Sequence, residues 1–197
     1  PLVILHGLFG SARNWDGIAK RLADRHRVFT VDLPNHGASP WRPRMDYPGL
    51  ADEVRAFIDA RGLDRPAVVG HSMGGKVAMT LALRDAEAVG ALVVVDIAPV
   101  AHAWSLGGHV DAMSGVPVSD LERRADAAAH LEAAVPDAGE RAFLLQNLVS
   151  DGSEWRWRIN LPVIGQDMHE ITGFPEFPAG TAYGGASLFL IGSLSNY

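Results

Sequence analysis

The 197 residues contain no cysteine, which excludes disulfides, thiolate metal sites and a cysteine nucleophile at once. Long apolar runs are missing too, since nothing approaches the roughly 18 residues that a membrane-spanning helix needs. No secretory signal pattern opens the chain, so a cytoplasmic location is expected. Basic residues are the minority, 17 Lys and Arg against 23 Asp and Glu. They gather into no stripe or tail, which argues against a nucleic-acid partner. What is abundant is apolar: 48% of the residues are hydrophobic, enough for the core of one domain or at most two. Pro1 stands directly before an apolar run and Tyr197 shortly after another. Both ends are therefore expected to fall inside a larger fold.

Five short apolar runs recur, at Leu2–Leu5, Val28–Val31, Ala67–Val69, Ala91–Val95 and Leu188–Ile191. They do not alternate with polar residues, which is how strands buried on both faces read. Segments of helical period separate the first four. In Tyr47–Arg61, Leu50, Val54, Phe57 and Ile58 share one face, and Gly62 follows as a stop. Val77, Ala78, Leu81 and Ala82 give a second stripe. Strand, helix, strand at this spacing predicts parallel βαβ units and an α/β fold. Residues 101–185 break the rhythm. Ser119-Asp120-Leu121-Glu122 has the spacing of a capping box and predicts a helix to about Val135. A second helix is expected over Gly139–Leu148, and Trp155–Asn160 alternates like a short strand or an extended lid. The expected organisation is a core over 1–100, a helical cap over 101–185 and a return to the core over 186–197.

The chemistry concentrates in Gly70-His71-Ser72-Met73-Gly74, a G-x-S-x-G between an apolar strand and a helical stripe. A serine hydroxyl attacks only if a base can reach it, and a sharp strand-to-helix turn makes it protrude. Gly70 and Gly74 are needed because a Cβ at either place would crowd the neighbouring strand and helix. Met73 then offers a backbone N–H at the helix N-terminus to a developing oxyanion. His6-Gly7-Leu8-Phe9-Gly10 follows the first strand, where the Leu8 N–H can supply the second donor. His6 and His36 read as structural histidines in turns.

These motifs, together with Asp32-Leu33-Pro34-Asn35-His36-Gly37-Ala38-Ser39 and Asp96-Ile97-Ala98-Pro99, occur in the order found in the α/β-hydrolase superfamily. The chain resembles in particular the YbfF-type esterases and their mitochondrial relatives, to which His6–Ser11, Asn35–Ser39, Gly70–Lys76, Asp96–Val100 and Trp157–Asn160 are similar. The resemblance implies an α/β-hydrolase fold entered at the family's third strand and left just past its seventh. A cap would be inserted after the sixth. It also implies a triad. The acid is expected at Asp96, closing the sixth strand, with Asp167 as second candidate. The family's base histidine lies beyond the eighth strand, so the base is expected outside this sequence. His71 is expected to point away from Ser72. His102, His109 and His169, on the cap, could approach the pocket.

The activity so implied is cleavage of carboxylic esters or thioesters, acyl-CoA among them, through an acyl-enzyme on Ser72, without metal or organic cofactor. A cofactor-free perhydrolase or haloperoxidase would use the same triad, and a non-catalytic ligand sensor could keep the fold. Phe9, Trp104, Trp157 and Phe174 are expected to wall an apolar pocket for a small-molecule substrate. Arg156 and Arg158 could meet an anionic acyl carrier, or simply face water from an amphipathic lid strand.

Overall fold

The computed structural model describes residues 1–101, 107–193 and 195. The chain opens with β1 (Leu2–Leu5), α1 (Asp16–Leu22), β2 (Val28–Val31) and α2 (Tyr47–Ala60). Asp46 caps α2 by accepting the Gly49 N–H at 2.7 Å, and Leu50, Val54 and Ile58 form its buried stripe. Gly62, at φ +57, ends that helix in the left-handed region that glycine enters without strain. β3 (Ala67–His71) leads into α3 (Met73–Arg84), buried from Met73 through Ala82. Each fully buried aliphatic there, such as Val77 or Leu81, contributes about 1.5–3 kcal/mol. β4 (Ala91–Val95) completes this half of the molecule.

Residues 107–172 form a separate group of elements. These are α4 (Gly107–Ser114), α5 (Arg124–Leu131), α6 (Ala138–Leu144), β5 (Leu148–Ser150), β6 (Trp155–Trp157), α7 (Leu161–Gln166) and α8 (Met168–Thr172). Two local expectations fail. Ser119 lies inside a short 3-10 turn, Val118–Asp120, and α5 begins at Arg124, where the Asp126 carboxylate accepts the Arg123 N–H at 2.8 Å. The helix expected through Leu148 ends at Leu144, because Leu148–Ser150 pairs antiparallel with Trp155–Trp157. The insertion thus carries a small hairpin as well as helices.

β7 (Ala186–Leu190) returns to the main sheet, whose order is β2-β1-β3-β4-β7 with every neighbouring pair parallel. The parallel α/β arrangement agrees with the reading of the apolar runs and helical stripes. β7 stands at one edge with Leu188, Phe189 and Leu190 about half exposed. Among the described residues, no helix is long and apolar enough to cross a membrane.

Candidate active site

Ser72 occupies the turn between β3 and α3 at φ 50, ψ −120. Few residues other than glycine accept such a backbone, and holding it costs about 1–3 kcal/mol. The two flanking glycines make it sterically feasible. A Cβ on Gly70 would overlap the Gly74 carbonyl, and one on Gly74 would lie 2.6 Å from the Leu5 and His6 carbonyl oxygens. The Ser72 N–H donates to Val95 O at 2.9 Å, while Ser72 O accepts the N–H groups of Gly75 and Lys76. The elbow is thereby bonded on both sides, to the neighbouring strand and to its own helix.

The β1–α1 turn is held by two buried histidines. His6 donates from Nδ1 to Gly7 O at 2.8 Å and accepts the Leu33 N–H on Nε2 at 3.0 Å. His36 donates from Nδ1 to Pro34 O and accepts the Phe9 N–H on Nε2 at 3.3 Å. Burial pushes both imidazoles below their ordinary titration range, that of His36 to about 3, so each keeps a neutral ring able to accept. Phe9 itself sits at φ 60. With these bonds made, the N–H groups of Leu8 and Met73 have no hydrogen-bond partner among the described residues.

Asp96 follows β4 at φ 54, and its Oδ1 accepts the Gly192 N–H at 3.3 Å. Its charge partly offsets the burial that lowers the His71 pKa. Asp167 belongs to a different place. Its buried carboxylate accepts the Met45 N–H at 2.6 Å and stands at the α7–α8 junction, so it ties the insertion to the core.

A cavity of about 430 Å³ lies over Ser72. Leu8, Phe9, Trp15, Ile18, Phe143 and Leu144 form its apolar wall. Of the expected pocket residues, Phe9 lines it, whereas Trp104 is outside the described residues. Phe174 and Trp157 do not line it. The Phe174 ring packs near Tyr47 and Phe177 and lines a separate hollow beside Asp46, Tyr47 and Pro48 at the start of α2. Trp157 is held in the β5–β6 hairpin, partly buried against the core cluster. The His71 ring reaches the cavity wall between Trp15, 6.3 Å away, and Gly7.

His109 lines the cavity, with Nε2 2.9 Å from Glu140 Oε1, while His169 is exposed beside Glu170 and His102 is outside the described residues. Arg156 is exposed at the hairpin, and no Lys or Arg lines the cavity among the described residues.

Asn147 carries no motif signal in the sequence, yet its Nδ2 donates to Phe9 O at 2.7 Å and joins the insertion to the β1–α1 turn. Asn160 does the same for the Asn35 turn, with bonds of 3.0 Å from its N–H and its Nδ2. Lys76 is buried, donates to Thr172 O and Gly173 O, and stands 5.7 Å from the Tyr47 ring centre. It therefore binds the end of the insertion and no phosphate.

The description "alpha/beta hydrolase fold" matches residues 1–132. The chain belongs to the α/β-hydrolase family. Over 206 residues this α/β-hydrolase is 41% identical to the mouse (Mus musculus) sn-1-specific diacylglycerol lipase ABHD11, covering 100% of the chain and 66% of that protein. It is 36% identical to the esterase YbfF of Escherichia coli, over 100% of the chain and 75% of the relative. A solved marine microorganism esterase superposes with a TM-score of 0.94 at 32% identity, across 98% of this chain and 77% of that one. The chain spans 66% and 64% of the length of the mouse and Danio rerio lipases.

Proposed function

We propose that this α/β-hydrolase cleaves carboxylic esters through an acyl-enzyme on Ser72. The observation that carries the reading is the pair of N–H groups on Leu8 and Met73. Both flank the elbow, and the fold gives neither a partner among the described residues. In this mechanism Ser72 Oγ attacks the ester carbonyl and its proton passes to a histidine, which returns it to the departing alcohol. The Leu8 and Met73 N–H groups hold the oxyanion, each donor being worth about 3–4 kcal/mol in the transition state. Asp96 orients the histidine and stabilises its cation. Water then releases the acid from Ser72.

In this reading none of the histidines around the elbow is assigned as the base. His6 and His36 spend both ring nitrogens on backbone groups. His71, adjacent to Ser72 in the chain, faces Trp15, and His109 is engaged by Glu140. Residues 101–185 serve as the cap, since Phe143 and Leu144 close one side of the cavity and Asn147 and Asn160 fasten them to the core. The apolar walls suit an acyl chain. Among the described residues no Lys or Arg lines the cavity, which favours simple esters over acyl-CoA thioesters, whose phosphates would need one. The similarity to diacylglycerol lipases and esterases supports the same class of substrate.

Treatment with a fluorophosphonate followed by peptide mass spectrometry tests the assignment. Ser72 is expected to carry the phosphonyl group, and Ser72→Ala to abolish labelling and ester hydrolysis together. Hydrolysis that survives in Ser72→Ala would overturn the reading. The 197 residues alone are expected to hydrolyse p-nitrophenyl acetate no faster than their Ser72→Ala variant, and an excess rate would place the base among the histidines present.

A further inference from the structure

We infer that His109 and Glu140 form a polar subsite that selects esters carrying a free hydroxyl group. The inference rests on the ester-hydrolase reading of Ser72 and names which esters that site prefers.

His109 belongs to α4 and Glu140 to α6, and both line the cavity over Ser72. His109 Nε2 donates to Glu140 Oε1 at 2.9 Å. One feature separates this histidine from His6 and His36. His6 and His36 satisfy both ring nitrogens with backbone groups, as a histidine used only for architecture does. His109 satisfies one, and its buried Nδ1 has no partner. The contact of Nε2 with the carboxylate is thus the ring's one hydrogen bond among the described residues, and leaving the buried Nδ1 unpaired carries a cost. Its place is fixed by Phe9, whose ring centre lies 6.1 Å away, next to the proposed oxyanion donor Leu8.

The second carboxylate oxygen of Glu140 has no partner among the described residues, on a side chain 47% exposed. Its backbone is pinned because Asp137 caps α6 by accepting the Glu140 N–H at 2.7 Å. An anionic acceptor thus stands, oriented by an imidazole, at one end of a chamber walled by Leu8, Phe9, Phe143 and Leu144. A neutral hydroxyl donor fits this better than a cation, which the apolar walls would strip of water along its way in. The hydroxyl can belong to the alcohol part or to the acyl part of the ester.

Three butyrate esters separate these sources: propyl butyrate, 1-monobutyrylglycerol with hydroxyls on the alcohol, and propyl 3-hydroxybutyrate with one on the acyl chain. Their kcat/KM values are measured on the protein as the cell makes it, with fluorophosphonate labelling of Ser72 run in parallel. One hydroxylated ester is expected to exceed propyl butyrate by on the order of tenfold. That ratio should collapse in Glu140→Gln and in His109→Phe, and stay in His169→Gln, which alters an exposed histidine away from the cavity. Whichever ester loses its advantage identifies the source. If Ser72 is labelled but neither variant moves the ratio, the subsite is overturned and the esterase reading stands. If Ser72 is not labelled in the unaltered protein, both fall.

Discussion

Ser72 and Asp96 are register neighbours one step beyond paired strands. His71 aligns with Val95 across β3 and β4, and the next residue on each strand turns into positive φ, 50 for Ser72 and 54 for Asp96. The Ser72 N–H donates to Val95 O, and the Asp96 N–H donates to Leu190 O. Two strained residues are thus anchored to the carbonyl-rich ends of successive parallel strands. In such sheets that edge is where ligands bind.

From this pairing, Asp96→Asn is expected to lower kcat on p-nitrophenyl butyrate by about 10³–10⁴-fold, since an amide no longer stabilises the histidine in its required tautomer. Asp167→Asn should instead weaken the folded state, because the Met45 N–H loses its charged acceptor. Unfolding midpoints and kcat separate the two outcomes. A large loss of kcat in Asp167→Asn with Asp96→Asn near normal would reverse the assignment.

Gly74→Ala is expected to destabilise the protein by about 3 kcal/mol. The new Cβ would meet backbone, the Leu5 and His6 carbonyls at 2.6 Å, and backbone cannot swing away as a side chain would. Gly17→Ala in α1 serves as contrast, because nothing lies within 4 Å of that position, and alanine there should stabilise by about 0.5–1 kcal/mol. Urea denaturation measures both. Equal midpoints for the two variants would refute the packing argument.

Lys76 gives a pH dependence with a definite sign. Burial lowers its pKa from 10.5 to about 8, so above pH 8 the unfolded chain holds this proton more tightly than the folded one. Stability attributable to Lys76 must then rise as pH climbs from about 8 towards 10.5, and stay level below that window. The difference in unfolding free energy between the unaltered protein and Lys76→Met, followed from pH 7 to 10.5, isolates the effect. A difference that falls with pH would contradict it.

Much of this molecule is legible along one dimension. The Val, Ile and Leu runs of β1, β3 and β4 read as strands inside a sheet and are so placed, whereas the same kind of run in β7 stands half exposed at the edge. The stripes of α2 and α3 need a sheet to lie on. The demand on Gly74 comes from the Leu5 and His6 carbonyls of the neighbouring strand, but the elbow is local in part, since Gly70 faces the Gly74 carbonyl within one turn. His6 and His36 read correctly as turn histidines for the same reason, each donating to a carbonyl one or two residues away.

What the sequence could not determine is which distant side chains share a wall. Trp157 and Phe174 have the apolar surface that a pocket wants, but β-pairing holds one and contacts with Tyr47 and Phe177 hold the other. His109, Glu140 and Phe143 reach the cavity because α4 and α6 pack over the β1–α1 turn, more than 90 residues upstream. Asn147 meets Phe9 across 138 positions. Helical and strand periods say which face of an element is buried, not which element covers it. That choice is made by closest packing of whole elements and by the need to pair every buried N–H and C=O, and it exists only once the chain is folded.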